Sequence, residues 1–284
     1  MFLELGARRY DVTTRALVMG ILNRTTDSFF DAGRYYDFDA FLRKAAELVT
    51  AGADILDIGG VKAAVLADGE GPFVTESEEL DRVVPAVEAL ASRFDVPLSV
   101  DTWRASVARA SFEAGAVIGN DISGFIDAEY LPVCAEAGAS VVATHIRRRP
   151  EVGGPDPADD VHGPVIEAVR AHLAAKAAMA EAAGVPGERV MLDAGLDLGK
   201  PPEASLELLH GTPRLVELGY PVFLAVSNKD ILGWLHGTAV SGRQNGTNAA
   251  HALGVALGCR ILRAHDVRAA RRICETIAAI LEAQ

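Results

Sequence analysis

The stretch ALVMGILN, residues 16–23, decides the fold: a run of small and apolar residues ends in the polar side chain of Asn23. Short runs of the same kind recur along the chain and end in polar or charged residues. They are ADILDIGG (53–60), VPLSVDT (96–102), AVIGND (116–121), ASVVATH (139–145), RVMLDAG (189–195), YPVFLAVSNK (220–229) and CRILRAHD (259–266). Eight buried strands with polar C-terminal ends are typical of a TIM barrel, in which those ends converge on one face. We therefore predict an α/β fold, a single (β/α)8 TIM barrel, with one site built from the strand ends.

Stretches with helical periodicity separate these runs. FDAFLRKAAELVTAGA, residues 38–53, carries apolar side chains on one face and reaches Gly52, a residue typical of helix C-terminal ends. Comparable stretches lie at 77–94, 104–116, 163–185, 202–219, 246–258 and 266–283. The alternation of strand and helix predicts parallel pairing. The pattern of MFLELGARRYDV, residues 1–12, indicates a short N-terminal hairpin or cap beneath the barrel.

Composition sets bounds on the partners. The 284 residues suit one barrel domain spanning 1–284, and the net charge of -12 disfavours nucleic acid and anionic membranes. No apolar run reaches the length of a membrane span, and no basic-then-apolar leader opens the chain, so we expect a cytoplasmic protein. Cys134, Cys259 and Cys274 are far apart in sequence and predict small core residues rather than disulfides or a zinc site.

The strand ends carry six motifs in a fixed order. They are NRTTDSFFDAG (23–33), SVDTW (99–103), GND (119–121), LDAGLDLGK (192–200), SNK (227–229) and RAHDV (263–267). Together they resemble the dihydropteroate synthase family of pterin-binding TIM barrels, whose first-strand signature reads Asn-x-Thr-x-Asp-Ser-Phe. The resemblance covers nearly the whole chain.

For the pterin, the resemblance implies a pocket formed by Asp101, Asn120, Asp193 and Lys229. A 2-aminopyrimidinone presents adjacent donors and acceptors, which carboxylates and an amide can match. Two inward-facing Asp side chains are costly to bury without a partner, which favours a functional role. Trp103, next to Asp101, has two open interpretations, stacking on a flat ligand or packing under the following helix.

For the reaction, the resemblance implies a pyrophosphate site formed by Asn23, Arg263 and His265, with Asn23 also touching Mg²⁺. Arg offers a fork that matches phosphate oxygens, and Mg²⁺ takes oxygen ligands. Asp31 would lie on a loop that closes over the reacting centre; without the motif it would be an ordinary turn residue. Catalytic roles are implied for Asp31, Lys229, Arg263 and His265.

The sequence departs from the family on the side of the second substrate. The family's second loop reads Gly-Gly-Glu-Ser-Thr-Arg-Pro-Gly, but here 59–66 reads GGVKAAVL, with Ala64 in place of the Arg and Lys62 as a nearby cation. Asn228 replaces an Arg in the family's Ser-Arg-Lys, and Asp197 and Leu198 replace Gly and Phe. These changes should weaken binding of a benzoate carboxylate. They resemble a divergent actinobacterial paralogue type of the family.

The leading hypothesis is therefore a transferase of folate biosynthesis that condenses 6-hydroxymethyl-7,8-dihydropterin pyrophosphate with 4-aminobenzoate, with Mg²⁺-assisted loss of pyrophosphate. The alternative is a divergent paralogue that binds pterin but uses another acceptor or lacks synthase activity. A methyltetrahydrofolate-type methyltransferase is a third interpretation, disfavoured by the retained Asn23, Arg263 and His265. The expected partners are a pterin pyrophosphate, an aryl amine acceptor and, from the family's habit, a second copy of the chain in a homodimer.

Overall fold

A computed structural model of the chain describes residues 1–24, 38–61, 74–147 and 164–283. Its strands are β1 (Phe2–Leu5), β2 (Arg8–Asp11), β3 (Leu17–Asn23), β4 (Ile55–Gly59), β5 (Leu98–Asp101), β6 (Ile118–Asp121), β7 (Ser140–Thr144), β8 (Val190–Asp193), β9 (Val222–Leu224) and β10 (Cys259–Ala264). Its helices are α1 (Phe38–Thr50), α2 (Glu76–Ala91), α3 (Ala105–Glu113), α4 (Tyr130–Ala137), α5 (Val165–Ala182), α6 (Pro202–His210), α7 (Thr212–Val216), α8 (Asp230–His236), α9 (Gln244–Leu257) and α10 (Val267–Glu282).

Strands β3 to β10 form a closed barrel. Each strand pairs in parallel with the next one along the chain, and β10 returns to pair with β3. The first two strands form a separate antiparallel hairpin. Both features confirm the fold predicted from the spacing of the apolar runs, including the N-terminal hairpin.

The lower half of the barrel is filled by apolar side chains. Alternate residues of a strand face the same side, so a barrel interior is built from every second position. One buried cluster joins inward positions of the strands to three residues in and just after the hairpin: Met19, Ile55, Ile118, Val142, Met191, Phe223 and Ile261 with Leu3, Leu5 and Val12. The hairpin therefore closes the N-terminal end of the barrel.

The helices pack on the outside of the barrel through a second, larger cluster. Helix α2 begins with a capping box, in which Thr75 accepts from the Glu78 N–H and the Glu78 carboxylate accepts from the Thr75 N–H. Helix α1 ends at Thr50, three residues before the predicted end, because Gly52 takes a positive φ of 100° and turns the chain toward β4. No helix in the described ranges is long and apolar enough to cross a membrane.

The three cysteines are free and buried, which confirms their prediction as core residues. Cys259 begins β10 and Cys274 lies on the inner face of α10. Burial raises the pKa of both thiols to about 12, so both remain protonated at neutral pH.

The inner face of α9 buries an unusual polar residue, His251, which is 1% exposed. Neither of its ring nitrogens has a hydrogen-bond partner among the described residues. Burial lowers the pKa of His251 from 6.5 to about 4. The unfolded chain therefore binds a proton at this residue before the folded chain does as the pH falls.

We predict that His251→Leu removes part of the acid sensitivity of the fold. The contribution of His251 is fully present above pH 6.5 and decreases as the pH falls, so the wild type should lose about 2.5 kcal/mol of unfolding free energy by pH 4.5 through this residue. Urea unfolding at pH 7 and pH 4.5 measures the difference. The exposed His210 on α6 offers a control, and His210→Gln should keep the wild-type acid dependence. Equal losses in the wild type and His251→Leu would contradict the assignment.

Candidate active site

A layer of polar side chains lies directly above the apolar layer of the barrel. Two residues beyond the apolar inward positions, the strands place Asp57, Asn120, Thr144, Asp193 and Arg263. The same alternation places Asp101 inward on β5, where it is paired in register with Asn120 of β6. A pocket at the C-terminal mouth of the barrel is lined by Asp101, Asn120, Ile122, Thr144, Asp193, Leu198, Phe223, Ala225, Lys229 and Arg263. The structure thus brings together the four side chains predicted to bind a pterin.

Arg263 is the centre of the charged network in this pocket. Its Nε donates to Asp57 Oδ2 at 2.7 Å, and its Nη2 donates to Asp101 Oδ2 at 2.7 Å. Asn120 Nδ2 lies 3.3 and 3.4 Å from the two Asp57 oxygens, which fixes its amide with the carbonyl oxygen turned away from Asp57. Burial raises the pKa of Asp101 to about 7 although the positive charge of Arg263 opposes the rise. Asp101 can therefore change its protonation near neutral pH.

Asp193 and Lys229 form the opposite wall of the pocket. Asp193 Oδ1 accepts a 2.8 Å hydrogen bond from the Gly195 N–H, which orients the carboxylate. Lys229 Nζ donates to the Leu196 carbonyl oxygen. Burial raises the pKa of Asp193 and lowers that of Lys229, and the attraction between the two charges opposes both shifts. The pocket lining therefore combines a carboxyl group and an amine that burial shifts toward their neutral forms and mutual attraction shifts back.

Asn23 and Asp101 lie on either side of Gly59. A Cβ atom at Gly59 would lie 3.0 Å from Asn23 Oδ1 and 3.7 Å from Asp101 Oδ2. A side chain at this position would fill the space between the end of β3 and the end of β5. The glycine thus leaves that space open, and Asn23 presents its amide oxygen toward it.

His265 follows β10 and is held by Ser227. The Ser227 hydroxyl accepts from the His265 N–H at 3.2 Å and lies 3.0 Å from His265 Nδ1. The hydroxyl proton can then be donated to Nδ1, which favours the tautomer with its proton on Nε2. Burial, aided by the charge of Arg263, lowers the pKa of His265 to about 3, so the ring is neutral near pH 7. His265 is not among the residues found to line the pocket.

Asp57 belongs to the strand ends expected to share one site, but no binding or catalytic role was predicted for it from the sequence. It is fully buried and paired with Arg263, so it belongs to the pocket's charge network. The alternation of side chains along β4 predicts this placement, because Asp57 faces the same side of the strand as Ile55 and Gly59. Asp121, one residue after Asn120, faces the opposite way and accepts from the Ser123 and Phe125 N–H groups. Its role is to shape the loop after β6.

Three residues predicted to lie on the second-substrate side fall within the described structure: Asp197, Leu198 and Asn228. Leu198 lines the pocket, whereas the Asn228 side chain is buried and its Oδ1 accepts from the Thr247 hydroxyl at 3.4 Å. Asp197 has its carboxylate occupied by the Ile231 N–H at 3.0 Å. Trp103 is buried in a cluster with Val61 and Val74, which supports its packing interpretation.

The remaining loop residues of the motifs lie outside the described ranges: Asp27, Asp31, Lys62 and Ala64. Their placement relative to the pocket stays a prediction. Lys200, at the end of the LDAGLDLGK motif, is buried and donates to the His145 and Gly195 carbonyl oxygens at 2.9 and 2.7 Å. It therefore ties the loop after β8 to the end of β7.

Comparison with known proteins agrees with this geometry. Residues 19–265 match the family described as pterin binding enzyme. The Mycobacterium tuberculosis protein named inactive dihydropteroate synthase 2 is 42% identical over 277 residues, covering 94% of this chain and 83% of that protein. The dihydropteroate synthase of Clostridium beijerinckii is 34% identical, covering 93% of this chain and 94% of that enzyme. The structure of the Xanthomonas albilineans dihydropteroate synthase in complex with 7,8-dihydropteroate has a TM-score of 0.86 at 34% identity, with both chains covered fully. The chain therefore belongs to the family of pterin-binding enzymes that includes the dihydropteroate synthases.

Proposed function

We propose that this chain is a dihydropteroate synthase-like transferase that binds 6-hydroxymethyl-7,8-dihydropterin pyrophosphate and transfers its pterin methylene group to an amine, with 4-aminobenzoate as the acceptor. The observation that carries the proposal is the convergence of Asp101, Asn120, Asp193, Lys229 and Arg263 on one pocket at the mouth of the barrel. The bound 7,8-dihydropteroate in the Xanthomonas albilineans enzyme supports the same ligand class.

The pocket suits the hydrogen-bonding edge of a pterin. A carboxylate accepts from the exocyclic amine and the ring N–H, whereas Lys229 and Asn120 offer a donor and an amide for ring nitrogen and carbonyl oxygen. Asp193 is the carboxylate best placed for this role, because Asp101 is already paired with Arg263. The walls formed by Phe223, Ile122 and Leu198 supply apolar contact for the flat ring.

The pyrophosphate group would lie toward Asn23, Arg263 and His265. Arg263 uses Nε and Nη2 for Asp57 and Asp101, which leaves Nη1 to donate to an anion. Neutral His265 can donate through Nε2 because Ser227 occupies Nδ1. These donors would stabilise the departing pyrophosphate while positive charge develops on the pterin methylene carbon. The amine then bonds to that carbon, and its proton is released.

Magnesium fits this site as an ion held mainly by the substrate. Asn23 offers one amide oxygen beside Gly59, and the described residues contain no group of three or more His, Cys, Asp or Glu side chains arranged to hold a metal. Mg²⁺ commonly binds through one or two protein oxygens, water and substrate phosphates. When bound, the ion would neutralise charge on the leaving pyrophosphate.

A second candidate function is a pterin-binding paralogue that uses another acceptor or does not condense. The specific observation is that the Asn228 side chain contacts Thr247 and Leu198 offers no aromatic face, so a benzoate carboxylate loses an arginine partner and its ring loses a stacking partner. The name of the 42% identical Mycobacterium tuberculosis relative, inactive dihydropteroate synthase 2, favours the same alternative.

Pterin binding is tested at Asp193. We predict that Asp193→Asn weakens the affinity for dihydropterin pyrophosphate by about 10- to 100-fold, the effect of losing hydrogen bonds to a charged acceptor. Isothermal titration calorimetry measures the change. Asp81→Asn, an exposed position on α2, removes the same charge away from the pocket and should bind like the wild type. Unchanged affinity in Asp193→Asn would place the ligand elsewhere.

Turnover separates the two candidate functions. With dihydropterin pyrophosphate, Mg²⁺ and 4-aminobenzoate, we expect release of pyrophosphate and formation of dihydropteroate. Arg263→Gln should lower the rate of pyrophosphate release at least about 100-fold, because it removes a donor to the departing charge. Tight pterin binding without pyrophosphate release would contradict the transferase and support the non-condensing paralogue. Pyrophosphate release without dihydropteroate would indicate another acceptor.

We also propose a homodimer formed through the outer helices. Trp234 on α8, Leu253 on α9 and Ile280 on α10 are 53%, 47% and 62% exposed, and exposed apolar side chains favour burial against a second copy. Sedimentation velocity should give a dimer for the wild type and a monomer for Leu253→Glu. Met179→Glu on α5 is the matched control, because Met179 is also exposed but lies on a different helix. A monomeric wild type would contradict this proposal.

A further inference from the structure

Asp197 occupies a backbone conformation that few residues adopt. It lies in the loop between β8 and α6 with φ at 64°, in the left-handed region that favours glycine and tolerates aspartate and asparagine. Its N–H donates to Ser205 Oγ of α6 at 3.0 Å, so the loop is fixed where it leaves the pocket wall. Non-glycine residues held in this region are often retained because their side chain has a task.

The Asp197 side chain supplies a hydrogen-bond acceptor at the start of α8. Lys229 is the N-cap residue of this helix, and its side chain has no oxygen with which to accept from the first-turn N–H groups. Asp197 Oδ2 supplies the acceptor from a different loop, receiving the Ile231 N–H at 3.0 Å. Ile231 is 1% exposed, so this N–H would otherwise be buried without a partner.

The same two loops meet at a second point. Lys229 Nζ donates to the carbonyl oxygen of Leu196, the residue before Asp197. The two loops therefore share two hydrogen bonds. One joins the Lys229 ammonium to Leu196, and the other joins the Asp197 carboxylate to the Ile231 N–H. One link holds the Lys229 ammonium and the other holds the backbone of the helix turn that carries Lys229, so both limit the freedom of a side chain with several rotatable bonds.

We propose that Asp197 is a positioning residue that sets the Lys229 ammonium in the mouth of the barrel by tying the loop after β8 to the first turn of α8. The inference rests on the proposed function only in naming a pterin as the ligand that Lys229 meets. It gives Asp197 a role on the pterin side of the pocket, although the residue stands in a motif that the sequence associates with the second substrate.

Three variants separate the carboxylate from the backbone that carries it. Asp197→Gly accepts the positive φ and removes the acceptor, whereas Asp197→Asn keeps an acceptor oxygen and tolerates the same φ. Glu203→Gln, an exposed position on α6, removes the same charge without touching either loop. Each variant is measured in the full chain by hydrogen exchange of the segment 226–236, by the rate of Lys229 acetylation with acetic anhydride, and by the dissociation constant for dihydropterin pyrophosphate.

In Asp197→Gly we expect about tenfold faster exchange at Ile231, faster acetylation of Lys229 and about tenfold weaker pterin binding, because one charged acceptor is lost. Asp197→Asn should restore all three to within about threefold of the wild type, and Glu203→Gln should change none. Wild-type exchange and acetylation in Asp197→Gly would overturn the proposal. Faster exchange with unchanged Lys229 acetylation and pterin affinity would also overturn it, since Asp197 would then only stabilise the helix.

Failure of the proposed function gives a different result. If the wild type binds no pterin, exchange and acetylation still decide the role of Asp197, because both are measured without ligand. Faster exchange and faster Lys229 acetylation in Asp197→Gly, restored in Asp197→Asn, would then support the positioning role while the pterin function fails.

Discussion

Two buried carboxylates on neighbouring strands share one guanidinium at the mouth of this barrel, and the rest of the site depends on that pairing. The carboxylates of Asp57 and Asp101 each accept a 2.7 Å hydrogen bond from the Arg263 guanidinium. Removing charges from water is costly unless they are paired, so Arg263 makes an acidic mouth compatible with folding. The pairing also fixes Asn120 through Asp57 and leaves one edge of the guanidinium for an anion. The residue that pairs with the two carboxylates is thus also the one proposed to meet an anion.

Much of this arrangement can be predicted from the sequence, because side chains alternate between the two faces of a strand. The apolar runs predict the strands, their C-terminal ends predict the face, and alternation from Ile55 or Ile118 predicts that Asp57 and Asn120 turn inward. Asp121 shows why position at a strand end is not enough: one residue further along, its side chain faces the loop and accepts backbone N–H groups instead. The end of an apolar run predicts where in the barrel a residue lies, and its odd or even position along the strand predicts whether the side chain faces the interior.

Other features depend on contacts between distant loops, which no local pattern records. The pairing of Ser227 with His265 joins residues 38 positions apart, and the link from Asp197 to Ile231 joins two different strand-to-helix connections. The sequence presents Asp197 only as a negative charge in a motif that usually carries glycine. Its partner becomes evident when the folded backbone brings the start of α8 beside it. Likewise, Trp103 is equally suited by composition to a ligand or to a core, and packing with Val61 and Val74 decides between them.

The hairpin of β1 and β2 also limits access to the barrel interior. Leu3 and Leu5, with Val12 just beyond the hairpin, seal the lower end of the barrel against the apolar interior. Among the described residues, the pocket therefore opens at the C-terminal end of the barrel and not at the hairpin end. Because the polar layer lies between this opening and the apolar layer, a ligand entering the barrel contacts charged side chains before it reaches the apolar layer.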